Sequence, residues 1–180
     1  MKYKWWLLIA AFLFVFGFVL GLVTPSGPTS EDIAALEELA EFLQPLPQPL
    51  VFLFILVKNI SAILISVAFS PILCLMPVIA LAVNGWILGW VSTAVLQQKS
   101  LGYLLAGLLP HGVFEIPALI MGEAVALSLG TAVILALFRK EKKELLLPNL
   151  RQNLRYLIVA LALLLPAAII ETYITPLLLF

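Results

Sequence analysis

His111 and Glu115 stand four residues apart in Pro110-His111-Gly112-Val113-Phe114-Glu115-Ile116-Pro117, which holds the single histidine of this 180-residue chain. A spacing of four puts both side chains on one face of a helix. An imidazole and a carboxylate so placed are suited to relaying protons or holding a cation. The surrounding run, 101–138, is otherwise apolar apart from Glu123. Ionisable groups at membrane depth are costly enough to mark functional sites. Asn59, Asn84 and Glu171 interrupt other apolar runs in the same way, and Lys58 adjoins Asn59.

The elements that position these residues are legible from composition. The chain is 63% hydrophobic and 11% charged, with mean hydropathy +1.16. Those values indicate an all-α polytopic membrane protein rather than a soluble domain. Cys74 is the only cysteine, which excludes an intrachain disulfide and a cysteine zinc cluster and leaves it a packing role. No basic face interleaved with aromatics offers a nucleic-acid surface.

Hydropathy predicts about five spans in a single domain, approximately 5–23, 50–69, 72–96, 110–138 and 157–179. Lys2, Lys4, Trp5 and Trp6 anchor the first, which is too long and lacks the cleavage site of a signal peptide. Thr29-Ser30-Glu31-Asp32 is a helix-start signal, and the following apolar spacing predicts an external, acidic amphipathic helix near 30–43. Pro45, Pro47 and Pro49 then form a stiff linker, and Ser70-Pro71 a tight break. The 101–138 run exceeds one ordinary span, so Pro110 and Gly112 predict a broken or re-entrant segment near 101–117, with a kink from Pro117. Gly17 and Gly21, and again Gly85 and Gly89, are G-x3-G pairs that let helices approach closely.

Topology follows from the basic loops. Six of the ten Lys and Arg residues lie in 139–155, and Lys2 and Lys4 precede the first span. Both regions are therefore expected in the cytoplasm, with four crossings between them, and the C-terminus and acidic 24–49 segment outside. On this register Asn59 lies about 14 Å from the outer face and Glu171 about 24 Å from the inner face. Asn84, Glu123, His111 and Glu115 fall into the same band, from mid-bilayer to the outer leaflet. Glu123, however, lies about 120° around the helix from His111 and about 80° from Glu115.

Three roles suit such a cluster. The polar groups hydrogen-bond across helices, with Lys58 paired to a carboxylate, and fix the bundle; or the broken helix lines a cavity for an ion, proton or small solute; or His111, Glu115 and Glu171 ligate a metal. A metalloprotease is disfavoured by the absence of H-E-x-x-H, and no serine, cysteine or aspartate constellation supplies a nucleophile with a base beside it.

Asn59, Asn84-Gly85, Pro110-His111-Gly112 with Phe114-Glu115-Ile116-Pro117-Ala118, and Glu171 in a closing apolar helix together resemble the SpoIIM family, the stage II sporulation protein M relatives. The resemblance spans roughly residues 5–180. It implies a multi-pass helical protein; the sporulation member works beside peptidoglycan-degrading partners as a scaffold, and many relatives have no assigned activity. It carries over no catalytic residue. The expectation is a non-enzymatic scaffold component of a plasma-membrane complex, self-associating as a dimer through its glycine faces. Its partners are the bilayer and other membrane or envelope proteins, with no resident cofactor or metal. The alternative is a small transporter or channel working through the break at Pro110 and Gly112.

Overall fold

The computed structural model describes residues 3–24, 38, 45–139 and 146–179. Its long elements are α1 (Tyr3–Val23), α2 (Gln48–Phe69), α3 (Leu75–Gln98), α4 (Leu101–Phe138) and α5 (Leu146–Ile169). A π-helical turn, Ile170–Ile174, and the short α6 (Thr175–Leu178) complete α5. Among the described residues, five helices are long and apolar enough to cross a membrane, the last taken as Leu146–Leu178. Helices are the expected solution, because a lipid-exposed backbone must satisfy its own hydrogen bonds. Their lipid faces carry exposed Leu8, Phe12, Val15, Leu53, Val57 and Val113. The predicted amphipathic helix near 30–43 lies outside the described residues, apart from Glu38.

Three boundaries differ from expectation. The fourth helix is one continuous α-helix of 38 residues, Leu101–Phe138, with Pro110 and Pro117 inside it. There is no interruption at Pro110-His111-Gly112, so the broken or re-entrant segment is corrected to an unbroken helix. The reason is local bookkeeping of donors. Each proline removes one intrahelical hydrogen bond, whereas unwinding three residues at this depth would strip several backbone groups of partners. The last helix begins at Leu146 rather than 157, absorbing half of the presumed polar loop. Pro49 sits in the first turn of α2, where its missing N–H is harmless, instead of in a linker. By contrast, the break at Ser70-Pro71 is present, and the chain reverses through Leu73 and Cys74 at φ 52° and 54°.

α4 touches every other long helix and forms the axis of the bundle, packing most extensively on α5; α1 packs chiefly on α3. Ala10 and Phe14 of α1, Leu81 of α3, and Ala124, Val125 and Leu127 of α4 make the larger apolar core. A smaller one joins Ile63 of α2, Ala118 of α4 and Leu164 of α5. Tyr3 ties the start of α1 to this axis by donating to the Met121 carbonyl at 2.8 Å and stacking on Tyr156.

The four glycines meet within the chain. A Cβ at Gly17 would strike the backbone of Ala82, and one at Gly85 would strike the backbone of Phe14. Gly21 and Gly89 face the partner helix in the same way. The glycine faces that predicted a dimer are thus used up in the α1–α3 crossing, and self-association would need another face.

Candidate functional site

α2 and α4 run parallel in a constant register, and their polar side chains meet as rungs. Asn59 Nδ2 donates to Glu115 Oε1 at 3.2 Å, an offset of 56 residues. Ser66 Oγ donates to Glu123 Oε2, an offset of 57. In the turn that follows α2, Cys74 approaches Thr131 at 3.6 Å, again at 57. The rungs differ in surroundings. Glu123 is wholly buried, and its Oε1 has no hydrogen-bond partner among the described residues. Glu115 opens onto a cavity.

That cavity, of about 410 Å³, is lined by Asn84 of α3, His111, Gly112 and Glu115 of α4, Glu171 of the π-turn, and apolar side chains including Phe14 and Leu108. His111 Nε2 lies 4.0 Å from Glu115 Oε2, and these side chains remain 14% and 32% exposed, so neither is sealed. Thr175 Oγ1 lies 3.4 Å from His111 Nδ1. Donor atoms of His111, Glu115 and Glu171 lie within 4.8 Å of one another. Glu171 makes no hydrogen bond among the described residues, but the charges of Glu115 and Lys58 both act on it. Lys58 makes no direct ion pair among the described residues and is exposed.

Local sequence explains the placement. His111 and Glu115 share a face of an uninterrupted helix, as their spacing requires. Glu171 is presented by a widened turn in which the Thr175 N–H reaches back to the Ile170 carbonyl. Pro176 follows at once; its ring disfavours the regular α-turn behind it, which the wider turn relieves. π-turns of this kind recur where a helix must present a functional side chain.

Of the residues singled out from sequence, His111, Glu115 and Glu171 converge, Asn59 holds Glu115 from behind, and Asn84 lines the cavity. Asn84 also bonds its own helix, donating to the Ala80 carbonyl at 2.7 Å. Glu123 is the correction: it belongs to a separate buried pair with Ser66 and not to the cluster. Pro110 and Pro117 lie within a helix and hinge nothing by interruption, and Gly112 serves as a small residue in the cavity wall.

Sequence reasoning missed Ser66, Thr175 and a third polar group. There, Asn153 Nδ2 donates to Ser128 Oγ at 3.1 Å and to the Asn149 carbonyl at 2.9 Å, while Ser128 Oγ donates to Asn149 Oδ1 at 3.3 Å, stapling α4 to α5. The i, i+4 spacing of Asn149 and Asn153 was the available signal, obscured by reading 139–155 as loop.

The described residues form five long apolar helices, which define an all-helical, polytopic membrane protein. The chain belongs to the SpoIIM family: the family model described as Stage II sporulation protein M matches residues 10–176. It is 28% identical over 171 residues to an uncharacterized protein of Methanocaldococcus jannaschii, covering 94% of this chain and 93% of that one. No solved structure matches.

Proposed function

We propose that this SpoIIM-family protein is a non-enzymatic, multi-pass plasma-membrane protein that binds a cation or small hydrophilic solute in its intramembrane cavity, as a small transporter or channel would. The observation carrying this is that His111, Glu115 and Glu171 converge on open space. A purely structural polar cluster satisfies its members against one another and closes around them. Here Glu171 has no hydrogen-bond partner among the described residues, and His111 and Glu115 stay partly exposed. The basic N-terminus and 139–145 segment set the orientation: N-terminus cytoplasmic, C-terminus outside. The His111–Thr175 contact is the nearest approach to a base with a nucleophile, and its 3.4 Å length and the burial of Thr175 suit positioning rather than attack.

A scaffold role has one observation in its favour. At about 1.5 Å per residue the 38-residue α4 is about 57 Å long, well beyond a hydrocarbon core of about 30 Å. Its end passes the α2–α3 turn, with Leu137 and Phe138 73% and 83% exposed, and would offer a partner an apolar edge. Association with other membrane or envelope proteins, or with a second copy, would use that end.

Thiol labelling tests the cavity. In a Cys74→Ser background, Asn84→Cys should react with a membrane-impermeant cationic thiol reagent in intact proteoliposomes, whereas Val113→Cys, on the lipid face at 60% exposure, should not. An unreactive Asn84→Cys in folded protein would remove the proposed water-accessible site.

A further inference from the structure

The donor set lining the cavity also selects the class of ligand. We infer that His111, Glu115 and Glu171 bind one divalent first-row transition cation of the Mn²⁺, Fe²⁺ or Zn²⁺ type; this rests on the cavity reading above.

Geometry is the first support. Donors held about 2.1 Å from one metal lie roughly 3 to 4 Å apart. The three candidate donors lie within 4.8 Å of one another, so side-chain adjustment of about 1 Å would close them on a common centre. The second support is how the other heteroatoms are held. Thr175 engages His111 Nδ1 at 3.4 Å, and Asn59 engages Glu115 Oε1 at 3.2 Å. Nε2 and Oε2 are left facing each other at 4.0 Å. Anchoring the far side of each ligand is how metal sites fix imidazole tautomer and carboxylate orientation. The π-turn fixes the third ligand.

Charge supplies the third support. The groups facing the site are Asn59 and Lys58 from α2, Asn84 from α3, His111 and Glu115 from α4, and Glu171 and Thr175 beyond α5. Two carboxylates in one intramembrane cavity repel, and Lys58 reaches them only through space. A divalent cation beside a neutral imidazole balances the two carboxylates, with Lys58 outside the ligand set. A mixed imidazole and carboxylate set favours Mn²⁺, Fe²⁺ and Zn²⁺ over Mg²⁺ and Ca²⁺, which prefer all-oxygen ligands, and over Cu⁺, which prefers sulfur. Asn84 and the open volume leave coordination positions for water or a travelling ligand.

The test uses the full chain in detergent, stripped with chelator and dialysed against Mn²⁺, with bound metal measured by elemental analysis. Wild-type protein should retain about one Mn²⁺ per chain against excess Mg²⁺. Affinity should fall by roughly tenfold or more in His111→Gln and Glu171→Gln, and by roughly tenfold in Thr175→Val, which removes only the anchoring hydroxyl. Glu123→Gln, outside the site, should bind as wild type does. Circular dichroism and size exclusion establish that each variant is folded. Folded wild-type protein without stoichiometric Mn²⁺ overturns the proposal, as does undiminished binding in both His111→Gln and Glu171→Gln. The cavity is judged separately by Asn84→Cys labelling: a reactive cysteine without metal binding sinks the metal site alone, whereas an unreactive cysteine sinks the cavity with it.

Discussion

Glu115 and Glu123 lie two turns apart on the same helix, each bonded to a polar side chain of α2, yet they inhabit opposite kinds of interior. Around Glu123 the bundle is closed: Ala124 and Val125 are fully buried beside it, and Ser66 is its partner. Above it, around Glu115, the wall opens into the cavity shared with His111 and Glu171. The α1–α3 crossing is closed as well, its backbones touching through glycine, although Phe14 and Asn84 beside it line the cavity. One chain therefore handles polar groups in the bilayer in two ways, by burying them in a fixed pair and by gathering them around space. The first fixes the bundle; the second leaves chemistry available.

If that division holds, substitutions in the closed half cost stability and those in the open half cost binding. The largest effect is expected for Glu123→Lys. It puts an ammonium in a site with no exposure and no carboxylate partner, at about 3–5 kcal/mol, the usual cost of an uncompensated buried charge. Loss of the monodisperse peak on size exclusion in detergent would register it; an intact, equally stable protein would show that the lower half is not closed. Gly85→Ala comes next, at about 1–3 kcal/mol, because the added methyl meets the Phe14 carbonyl rather than a side chain that can turn away. Thermal unfolding in detergent should show the drop, and its absence would mean that α1 and α3 are not locked at this crossing.

The closed half was also the less legible from sequence. The apolar run lengths located five spans because lipid leaves little freedom in how long a spanning helix is. His111 and Glu115 followed from their spacing of four. What hydropathy could not supply was partnership. Gly17, Gly21, Gly85 and Gly89 mark close approach, but whether to another copy or another helix of the same chain depends on tertiary placement. Glu123 shared a depth with the cluster, and its position about 120° around α4 from His111 was the sign that it would face elsewhere. The predicted break at Pro110 failed because proline propensity is calibrated against water, where an unwound turn finds solvent partners. The π-turn that presents Glu171 had only Pro176 to announce it.

Glu171→Gln makes the smallest change and divides the two halves most sharply. In metal-free protein, Glu171 has no hydrogen bond to lose among the described residues and lies within the electrostatic reach of Glu115 and Lys58. Glutamine keeps the size and polarity of the side chain there, and the opposing influences of Glu115 and Lys58 both fall away. Stability should therefore move by no more than about 0.5 kcal/mol, the range for side chains not tied into a network. Chelator-treated wild type and variant, unfolded side by side in the same detergent, give the difference directly. A loss as large as that of Gly85→Ala would mean that Glu171 is a structural strut after all, and the open half would then be closed chemistry with a gap in it. Near-equality, with the Asn84→Cys site still reactive, would leave a carboxylate at membrane depth that does nothing for the fold, and a costly group kept there without structural benefit is best explained by what it binds.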